Sequence, residues 1–503
     1  MHSIEEKLIP ICKWINFVFL IGLFFYVFII PGAISICYLK DKGLHTAQIP
    51  KIALRTHRLL TKQYGQWLHK RLDSKRANEL NKTHVSGTEW PLFGTVFYLW
   101  ATESIQNEML QKNVSSELLP KKYAKDTVEE AAKFLADPNQ AKWVKDYWGK
   151  DYLCRENLFY RMLLISGLLS YQNILDDQKY ENLLKDQVLT LAKELDESPH
   201  GLVDDYPGEC YPIDIIAAIA VIKRADGVLG TDHSMFVKRA VRGFEGNKLD
   251  PNTQLPAYNA DSGTGYGLGS ARGIGMSFML IWAPELWENV AIDWYAKYKS
   301  LYWQEKFGVA GFREFPKTIK NANWWMDPDS GPVVEGFGVA ATAFGLGAAR
   351  ANNHFDDAYA LGSEVAVLSW PLLDGTLLGA RFLSNFTEAP YLGETALLFL
   401  FSRQPVLGGA HSIVRKTPIS VHIVIFLYFL VGFFYIFREI MDFRKYLKNS
   451  KHIHLSKPFI QLFVWMVLIL LGTGILIFYN GLLGLLVILF GVKFPIVEYP
   501  SRK

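Results

Sequence analysis

The strongest constraint on the fold is a run of 26 uncharged residues near the N-terminus, from Trp14 to Leu39. A helix of about 20 apolar residues is enough to cross the hydrocarbon core of a bilayer. A cleaved signal peptide would have a shorter apolar segment that ends in small residues. We therefore predict an N-terminal tail over residues 1–12 and a retained transmembrane helix over residues 13–39.

Two more apolar runs lie towards the C-terminus. Residues 417–437 carry no charge apart from His422, and residues 459–492 form an uncharged run of 34 residues. A single helix of that length would measure about 51 Å, which exceeds the bilayer thickness, and Asn480–Gly481 near its middle is a turn signal. The sequence predicts a transmembrane helix over 417–437 and a transmembrane hairpin over 459–497, so four spans in total.

The basic residues beside these spans give opposing signals about orientation. The predicted loop 438–458 carries six of them, which favours a cytoplasmic position for this loop. A second basic group, from Lys40 to Arg58, follows the first span and opposes this orientation. Long segments translocate largely regardless of their charge, so we give the first signal more weight. We predict an integral membrane protein whose central domain is periplasmic or extracellular.

Residues 40–86 form a basic, amphipathic connector that includes IALRTHRLLTKQYGQWLHKRL. One interpretation is a helix on the membrane surface that binds anionic lipid. The other is a connecting helix that lies on the central domain, and we favour this second interpretation.

Residues 87–410 are predicted to form one helical domain. Segments such as ENLFYRMLLISGLLSYQNIL and YENLLKDQVLTLAKEL have apolar residues at three- and four-residue spacing, and no stretch shows sustained strand alternation. Nearly all-apolar segments alternate with amphipathic ones, as expected for an inner ring of buried helices within an outer ring. The predicted fold class is therefore all-α, an (α/α)6-type toroid flanked by transmembrane helices.

Composition and motifs argue against several classes of function. The net charge is only +4 and the central region has no basic stripe, so we predict no nucleic-acid partner. Four cysteines in 503 residues cannot be the main support of the fold. The histidines are scattered, and neither a phosphate loop nor a nucleophile elbow occurs, so we predict no metal and no cofactor. GFGVAA, residues 336–341, imitates a dinucleotide fingerprint, but its small residues are better explained by close helix packing.

The densest polar loop is GLVDDYPGECYPID, residues 201–214, which precedes a wholly apolar helix. Its four carboxylates lie within eleven residues, and clustered carboxylates repel, so one is expected to keep its proton near neutral pH. Helix capping would explain one acidic residue but hardly four. The loop contributes Asp204, Asp205, Glu209 and Cys210 as predicted catalytic residues, Tyr211 as a predicted substrate-binding residue, and Asp214 as the fourth carboxylate.

Two further loops and one helix start supply the other predicted substrate-binding residues. The glycines of loop 259–273 let the backbone approach a ligand, and the adjacent tryptophans of loop 311–338 suit stacking on a sugar ring or an isoprenoid chain. Turn and helix-cap chemistry is the alternative for some of the acidic members. The set comprises Glu156, Tyr266, Arg272, Arg313, Trp324, Trp325, Asp327 and Asp329.

Four stretches, in order, resemble the linalool dehydratase/isomerase family: RENLFYRMLLISGLLSYQNILDDQKYE, GLVDDYPGECYPIDIIAAIAVI, SARGIGMSFMLIWAPEL and DPDSGPVVEGFGVAATAFGLGAARAN. The resemblance covers residues 150–405 and implies an (α/α)6 toroid. It also implies cofactor-free chemistry on an allylic terpene alcohol by two cysteines, a histidine and tyrosines. Cys210 matches the second cysteine, but Asp204, Leu163 and Arg272 stand at the positions of the first cysteine, the histidine and a tyrosine. The resemblance thus extends to the fold, whereas most of the reactive set is replaced.

Three functions are consistent with these residues. The first is a membrane-anchored enzyme that uses carboxylate acid/base chemistry, as a lyase, hydratase, isomerase or hydrolase, on a lipid-like or lipid-linked substrate. The second is a periplasmic or extracellular glycan hydrolase or lyase, which paired carboxylates and tryptophans would suit. The third is a non-catalytic protein for ligand binding or assembly. The expected partners are the lipid bilayer and a small-molecule, lipid-linked or glycan substrate, and the sequence does not define an oligomeric state.

Overall fold

The structure is a computed structural model that describes residues 2–407 and 416–449. The chain divides into two compact units, Met1–Ile34 with Val424–Lys503, and Ser35–Ile423. The described part is mostly helical, which confirms this aspect of the predicted fold class.

Eighteen α-helices occur in the described residues. They are α1 (His2–Phe24), α2 (Ile30–Leu39), α3 (Lys51–Ser74), α4 (Val85–Gln111), α5 (Pro120–Tyr123), α6 (Lys125–Ala136), α7 (Lys142–Trp148), α8 (Leu158–Leu175), α9 (Glu181–Glu197), α10 (Pro212–Leu229), α11 (Ser234–Ala240), α12 (Gly273–Leu286), α13 (Glu288–Tyr302), α14 (Val339–Ala351), α15 (Phe355–Leu368), α16 (Leu378–Ser384), α17 (Leu392–Ser402) and α18 (Ile419–Asn449).

The first unit contains two long apolar helical segments that pack antiparallel through aromatic rings. A π-helical turn joins α1 to α2, and the ring of Phe17 stacks on Phe443 with centroids 4.3 Å apart. Further along the pair, Phe24 stacks on Tyr435 at 4.9 Å. The segments Ile11–Leu39 and Ile419–Lys448 are both long and apolar enough to cross a membrane.

The first segment contains the predicted span 13–39, and the second contains residues 419–437 of the predicted span 417–437. Helix α18 continues to Asn449, so the first part of the predicted basic loop 438–458 is helical rather than irregular. The basic residues in this first part of the loop therefore belong to α18 and form its charged C-terminal end. The predicted hairpin 459–497 lies outside the described residues.

In the second unit, six apolar helices contact one another in a closed series. Helix α4 contacts α8, which contacts α10, and the series continues through α12 and α14 to α17, which contacts α4 again. Most residues of α8 and α12 are buried, as is the stretch Ile215–Ile222 of α10, because these segments carry apolar side chains on all sides. We call α4, α8, α10, α12, α14 and α17 the six apolar helices.

Amphipathic helices pack against this set, each through one apolar face. Helices α6 and α9 contact α8, α13 contacts α12, and α15 contacts α14. Helix α3, within the predicted connector 40–86, buries Ile52, Leu60, Tyr64 and Leu68 against the same unit. Since its apolar face is covered by protein, the structure agrees with the interpretation of α3 as a connecting helix on the domain.

The loops between the helices contain three small antiparallel sheets that the sequence did not predict. Their strands have two to four residues, which is too short for alternation to be recognised. The strands are β1 (Asn259–Asp261) with β2 (Tyr266–Leu268), β3 (Trp303–Lys306) with β4 (Val309–Phe312), and β5 (Trp324–Asp327), β6 (Gly331–Val334) and β7 (Phe337–Gly338). Two of these sheets lie in the loops predicted to bind substrate.

Small residues allow α14 to approach its neighbours closely, as the sequence predicted for GFGVAA and the residues after it. A Cβ added at Gly345 would lie 2.4 Å from the Phe312 ring, and one at Gly347 would lie 2.7 Å from Leu400. Gly338 precedes α14 beside the carboxyl group of Glu314. These glycines are explained by packing and not by a nucleotide.

We expect Gly273→Ala to destabilise the second unit by about 1–3 kcal/mol, because overpacking forces the backbone to shift. The added Cβ would lie 2.1 Å from the backbone oxygen of Arg313, which cannot move like a flexible side chain. Gly227→Ala is the matched control, since this helical glycine has no atom within 4 Å of the added carbon. Melting temperatures in detergent should fall for the first variant only, and equal values would contradict the prediction.

Candidate active site

A cavity of about 600 Å³ lies in the second unit, and most of its wall is apolar. Its aromatic wall residues are Trp90, Phe93, Phe97, Phe159, Phe278 and Phe344. Its polar lining consists of four carboxyl groups, four tyrosines, one lysine and one threonine: Glu89, Glu209, Asp214 and Asp329, then Tyr147, Tyr206, Tyr211 and Tyr258, then Lys82 and Thr83. The cavity thus combines a hydrocarbon-like wall with groups that can exchange protons.

Each of the six apolar helices supplies a lining residue from its N-terminal end. In helix order, these residues are Glu89, Phe159, Asp214, Ile274, Ala340 and Leu392. The N-terminal end of a helix carries a partial positive charge and free N–H groups, so carboxylates are favoured beside it. The convergence of six such ends explains why acidic residues concentrate on this side of the domain.

Glu89 has the most informative surroundings of the four carboxyl groups. Tyr206 also lines the cavity, and its hydroxyl favours the charged form of Glu89, which lowers the pKa of Glu89 in part. Burial raises the pKa of Glu89 to about 7, and the charges of Asp329 and Glu209 contribute in the same direction. A carboxyl group with this pKa can both donate and accept a proton near neutral pH, as a general acid/base catalyst must.

Two other carboxyl groups of the lining accept hydrogen bonds from tyrosine hydroxyls. The Tyr211 hydroxyl donates to Oε2 of Glu209 at 3.0 Å, and the Tyr258 hydroxyl donates to Oδ2 of Asp329 at 2.8 Å. Burial raises the pKa of both Tyr211 and Tyr258, so each phenol keeps its proton as a donor. These pairs hold the carboxyl groups in fixed orientations around the cavity.

Asp214 and Asp205 form a second, more buried acidic pair. Burial raises the pKa of Asp214, as do the charges of Asp329 and Glu89, and burial together with Asp214 raises that of Asp205. Asp205 is fully buried and does not line the cavity. Its Oδ2 accepts from the backbone N–H of Tyr211 at 2.7 Å, while its Oδ1 has no hydrogen-bond partner. Asp205 therefore supports the loop beneath Tyr211 through this hydrogen bond.

We expect the contribution of Glu89 to the stability of the domain to be lost as the pH rises from about 4.5 to about 7. A buried carboxyl group whose pKa is raised binds its proton more tightly in the folded than in the unfolded chain, so stability is lost as the pH rises through the folded value. The contribution of Glu89 would be about 3 kcal/mol for a rise from its ordinary value to about 7. Glu89→Gln should remove this part of the pH dependence when melting temperatures are compared across the interval. Glu197→Gln, at an exposed site, should leave it unchanged.

Three residues of the predicted loop 201–214 line the cavity, and its other members have different positions. Glu209, Tyr211 and Asp214 line the cavity, whereas Asp204 and Cys210 do not. Oδ2 of Asp204 accepts the N–H of Gly208 at 2.9 Å and so stabilises the turn. Cys210 is buried, and burial and the charges of Asp205 and Asp204 raise the pKa of its thiol, which disfavours a nucleophilic thiolate. Cys210 and Cys154 are both free thiols.

Arg272 belongs to an ion-pair network behind the rim. Its Nε donates to Glu314 and its Nη2 to Asp327, both at 2.7 Å. Its guanidinium group also lies over the Tyr258 ring, 4.4 Å from the centroid. Arg272 and Asp327 are not part of the lining, so they position Tyr258 and the β5–β6 turn that carries Asp329.

The remaining predicted binding residues do not line the cavity. Trp324 and Trp325 lie on β5 with 66% and 52% of their surface exposed, next to the turn that reaches the rim. Tyr266 is exposed on β2. Arg313 is buried and donates to Gln304 at 2.8 Å. Glu156 lies just before α8, and its backbone N–H donates to the side chain of Glu194. Roles in substrate binding stay predictions for the tryptophans, and structural contacts explain Arg313 and Glu156.

Sequence reasoning missed Glu89, Tyr206, Tyr258 and the aromatic wall. Glu89 is the first of three glutamates in α4 and stands directly before the apolar stretch WPLFGTVFYLW. A charged residue next to such an apolar segment could have indicated a functional site, because charged residues are rarely buried unless they are paired. Its partners could not be recognised, since they come from distant loops.

Histidine and carboxylate ligands also meet at one place away from the cavity. The ligand atoms of His354, Asp356 and Asp357 lie within 4.8 Å of one another. The ammonium group of Lys299 is 2.6 Å from Asp357 and so already supplies a positive charge there. The cluster is explained by this ion pair.

No protein-family model and no curated protein matches the chain. The geometry of the cavity is therefore the basis of the functional conclusion.

Proposed function

We propose that the chain is a membrane-anchored, acid/base enzyme of the lyase or isomerase type that acts on a lipid-like substrate with a hydroxyl group. The observation that carries this proposal is the position of Glu89, which lines an aromatic cavity together with Tyr206 and whose pKa is raised by burial to about 7. The wall of phenylalanines suits a hydrocarbon chain, and the polar lining suits its hydroxyl end.

The proposed fold behind this site is an (α/α)6 toroid like that of the linalool dehydratase/isomerase family. The closed contact series of the six apolar helices and the convergence of their N-terminal ends support it. In such a toroid the inner helices run parallel, so one end of the ring would collect all six helix starts. The family's cysteine chemistry is not part of the proposal, because Cys210 is buried outside the cavity.

The proposed reaction is the removal or addition of water. Protonated Glu89 donates its proton to the hydroxyl oxygen of the substrate, the C–O bond breaks, and water leaves. A carboxylate of the rim then accepts a proton from the neighbouring carbon, and a double bond forms. Asp329 suits this second role, because its charge acts on both Glu89 and Asp214. Addition of water follows the same steps in reverse.

A glycan hydrolase or lyase is the second candidate. The exposed Trp324 and Trp325 beside the rim favour it, since such side chains stack on sugar rings. The aromatic wall favours a hydrocarbon over a polar sugar chain, so the first candidate agrees better with the lining.

An assay without a chosen substrate tests the proposal. The purified full-length chain is incubated with membrane lipid extract in deuterated water, and mass spectrometry follows gain or loss of water and deuterium at carbon. We expect a lipid that changes by one water molecule or gains deuterium with the wild type. Release of oligosaccharides from glycans instead would favour the second candidate, and retention of an unchanged ligand would favour a non-catalytic binding protein.

We also propose that residues 40–416 face the periplasm or the exterior, which the basic end of α18 supports. Cys154 is exposed and free, so it is a natural reporter. A membrane-impermeant maleimide should label intact cells, or spheroplasts where an outer membrane is present, and Cys154→Ser should remove most of this labelling. Labelling of Cys154 only after the membrane is opened would reverse the orientation.

A further inference from the structure

The outward face of α3 is basic and lacks ion-pair partners. Lys51, Arg58 and Lys62 are exposed on this face. Within residues 2–407 and 416–449, none of the three forms an ion pair with a carboxylate. Arg58 lies over the ring of Tyr123, 5.2 Å from its centroid, and donates to the backbone oxygen of Leu118 at 3.5 Å, but no carboxylate neutralises its charge. The apolar side of α3 is covered by the domain.

An exposed apolar segment runs alongside this basic face. Arg55 donates to the backbone oxygen of Leu373 at 2.7 Å, and a Cβ added at Gly375 would lie 2.5 Å from Leu59. Near the other end of α3, Arg71 pairs with Glu388 at 2.8 Å. Residues 373–388 thus follow α3 from Arg55 to Arg71. The exposed apolar side chains along the helix and the segment are Leu59, Leu373, Phe382, Leu383 and Phe386.

The same face is attached to the end of an apolar helix long enough to cross a membrane. The backbone N–H of Lys51, the first residue of α3, donates to the carboxylate of Asp41, two residues after that helix ends at Leu39. The buried Arg350 donates to the backbone oxygens of Gly43 and Gln48, which fixes the connection between the two helices. Helix α3 begins 12 residues after Leu39, so a bilayer crossed by the apolar helix lies within reach of α3 along the chain.

We propose that this face, formed by α3 and residues 373–388, docks onto the surface of an anionic bilayer. The basic residues would contact lipid phosphates, each contributing about 1 kcal/mol, and the leucines and phenylalanines would enter the interfacial region. A second copy of the chain is a poorer partner, because a symmetric dimer through this face would place like charges opposite each other. The α3 helix thus both connects and binds lipid, through opposite faces.

Photo-crosslinking of the full-length chain tests this proposal. The protein is reconstituted with a diazirine-labelled lipid in vesicles of phosphatidylcholine alone or of phosphatidylcholine with phosphatidylglycerol, and labelled peptides are mapped by mass spectrometry. We expect label at Leu59 and at Leu383–Phe386, several-fold stronger with phosphatidylglycerol. The double variant Arg58→Gln/Lys62→Gln should lower this labelling by about fivefold for each charge removed.

Helix α9 provides the matched control, because its exposed face also carries a leucine between two lysines, Lys185, Leu189 and Lys193. Its peptide should stay unlabelled, and Lys185→Gln/Lys193→Gln should change nothing. Equal labelling of α9 and the proposed face, or no response to phosphatidylglycerol or to the Arg58/Lys62 variant, would overturn the proposal. Crosslinks between two copies of the proposed face would point to a dimer instead. The substituted side chains are all exposed, and an unchanged melting temperature confirms that the variants fold.

Discussion

Replacing Glu89 by glutamine is expected to lower turnover by about 10²–10⁴-fold, the range typical for loss of a general acid/base. Glutamine keeps the size of the side chain, but it cannot donate a proton to a substrate as a carboxylic acid does. The variant should therefore keep its fold and, near neutral pH, should be at least as stable as the wild type, because a buried group with a raised pKa is removed. Turnover in the deuterium assay and melting temperature in detergent are the two measurements.

Three further substitutions sharpen this experiment. Asp329→Asn should also lower turnover strongly, because it removes the proposed proton acceptor. Asp205→Asn should act more weakly and through the loop, since Asp205 lies outside the cavity and supports Tyr211. Glu197→Gln, on the exposed end of α9, is the neutral control. Full turnover in Glu89→Gln would remove Glu89 from the mechanism, and a larger loss in Asp205→Asn than in Asp329→Asn would return the chemistry to the loop.

Arg272→Ala is expected to destabilise the domain by about 3–5 kcal/mol, the usual cost of removing one partner from a buried ion pair. Glu314 is fully buried and would keep only the backbone N–H of Ile274 as a donor. The ring of Tyr258 would also lose the guanidinium group above it, so the rim of the cavity should loosen and turnover should fall as well. Thermal unfolding in detergent measures the first effect.

A double substitution in the same network separates the effect of the unpaired charge on stability from the effect of lost packing. In Arg272→Met/Glu314→Gln no uncompensated charge remains at Glu314, so most of the lost stability should return. The exposed pair Arg239–Asp196 is the matched control, and Arg239→Ala should cost at most about 1 kcal/mol. A loss in Arg272→Ala no larger than in Arg239→Ala would show that the network is not important for stability.

The helices were predictable because each is encoded by neighbouring residues. The apolar spacing of ENLFYRMLLISGLLSYQNIL led to α8 at Leu158–Leu175, and YENLLKDQVLTLAKEL led to α9 at Glu181–Glu197. The small strands were not predictable, since two to four residues give no clear alternation. The order in which the six apolar helices contact one another also depends on packing that no single segment encodes.

The candidate site was predictable only in part, for the same reason. Clustered carboxylates pointed to loop 201–214, and Glu209, Tyr211 and Asp214 do line the cavity. Neighbours in that loop nevertheless have different roles, because Asp205 turns inward to the Tyr211 backbone while Glu209 accepts from the Tyr211 hydroxyl. Which side chain of a loop faces a cavity is set by the backbone geometry of the loop. This geometry cannot be predicted from the residue types in the loop alone.

The sequence by itself determined that this chain has long apolar helical segments at its ends and a helical domain between them, because hydrophobicity and its period act over short distances along the chain. Only the tertiary structure decided that Glu89 is the central titratable group. Its pKa depends on burial and on Glu209 and Asp329, residues more than a hundred positions away that packing of the six apolar helices brings to one cavity. Proton chemistry depends on distance in space and on the local dielectric, and both arise only when the chain has folded.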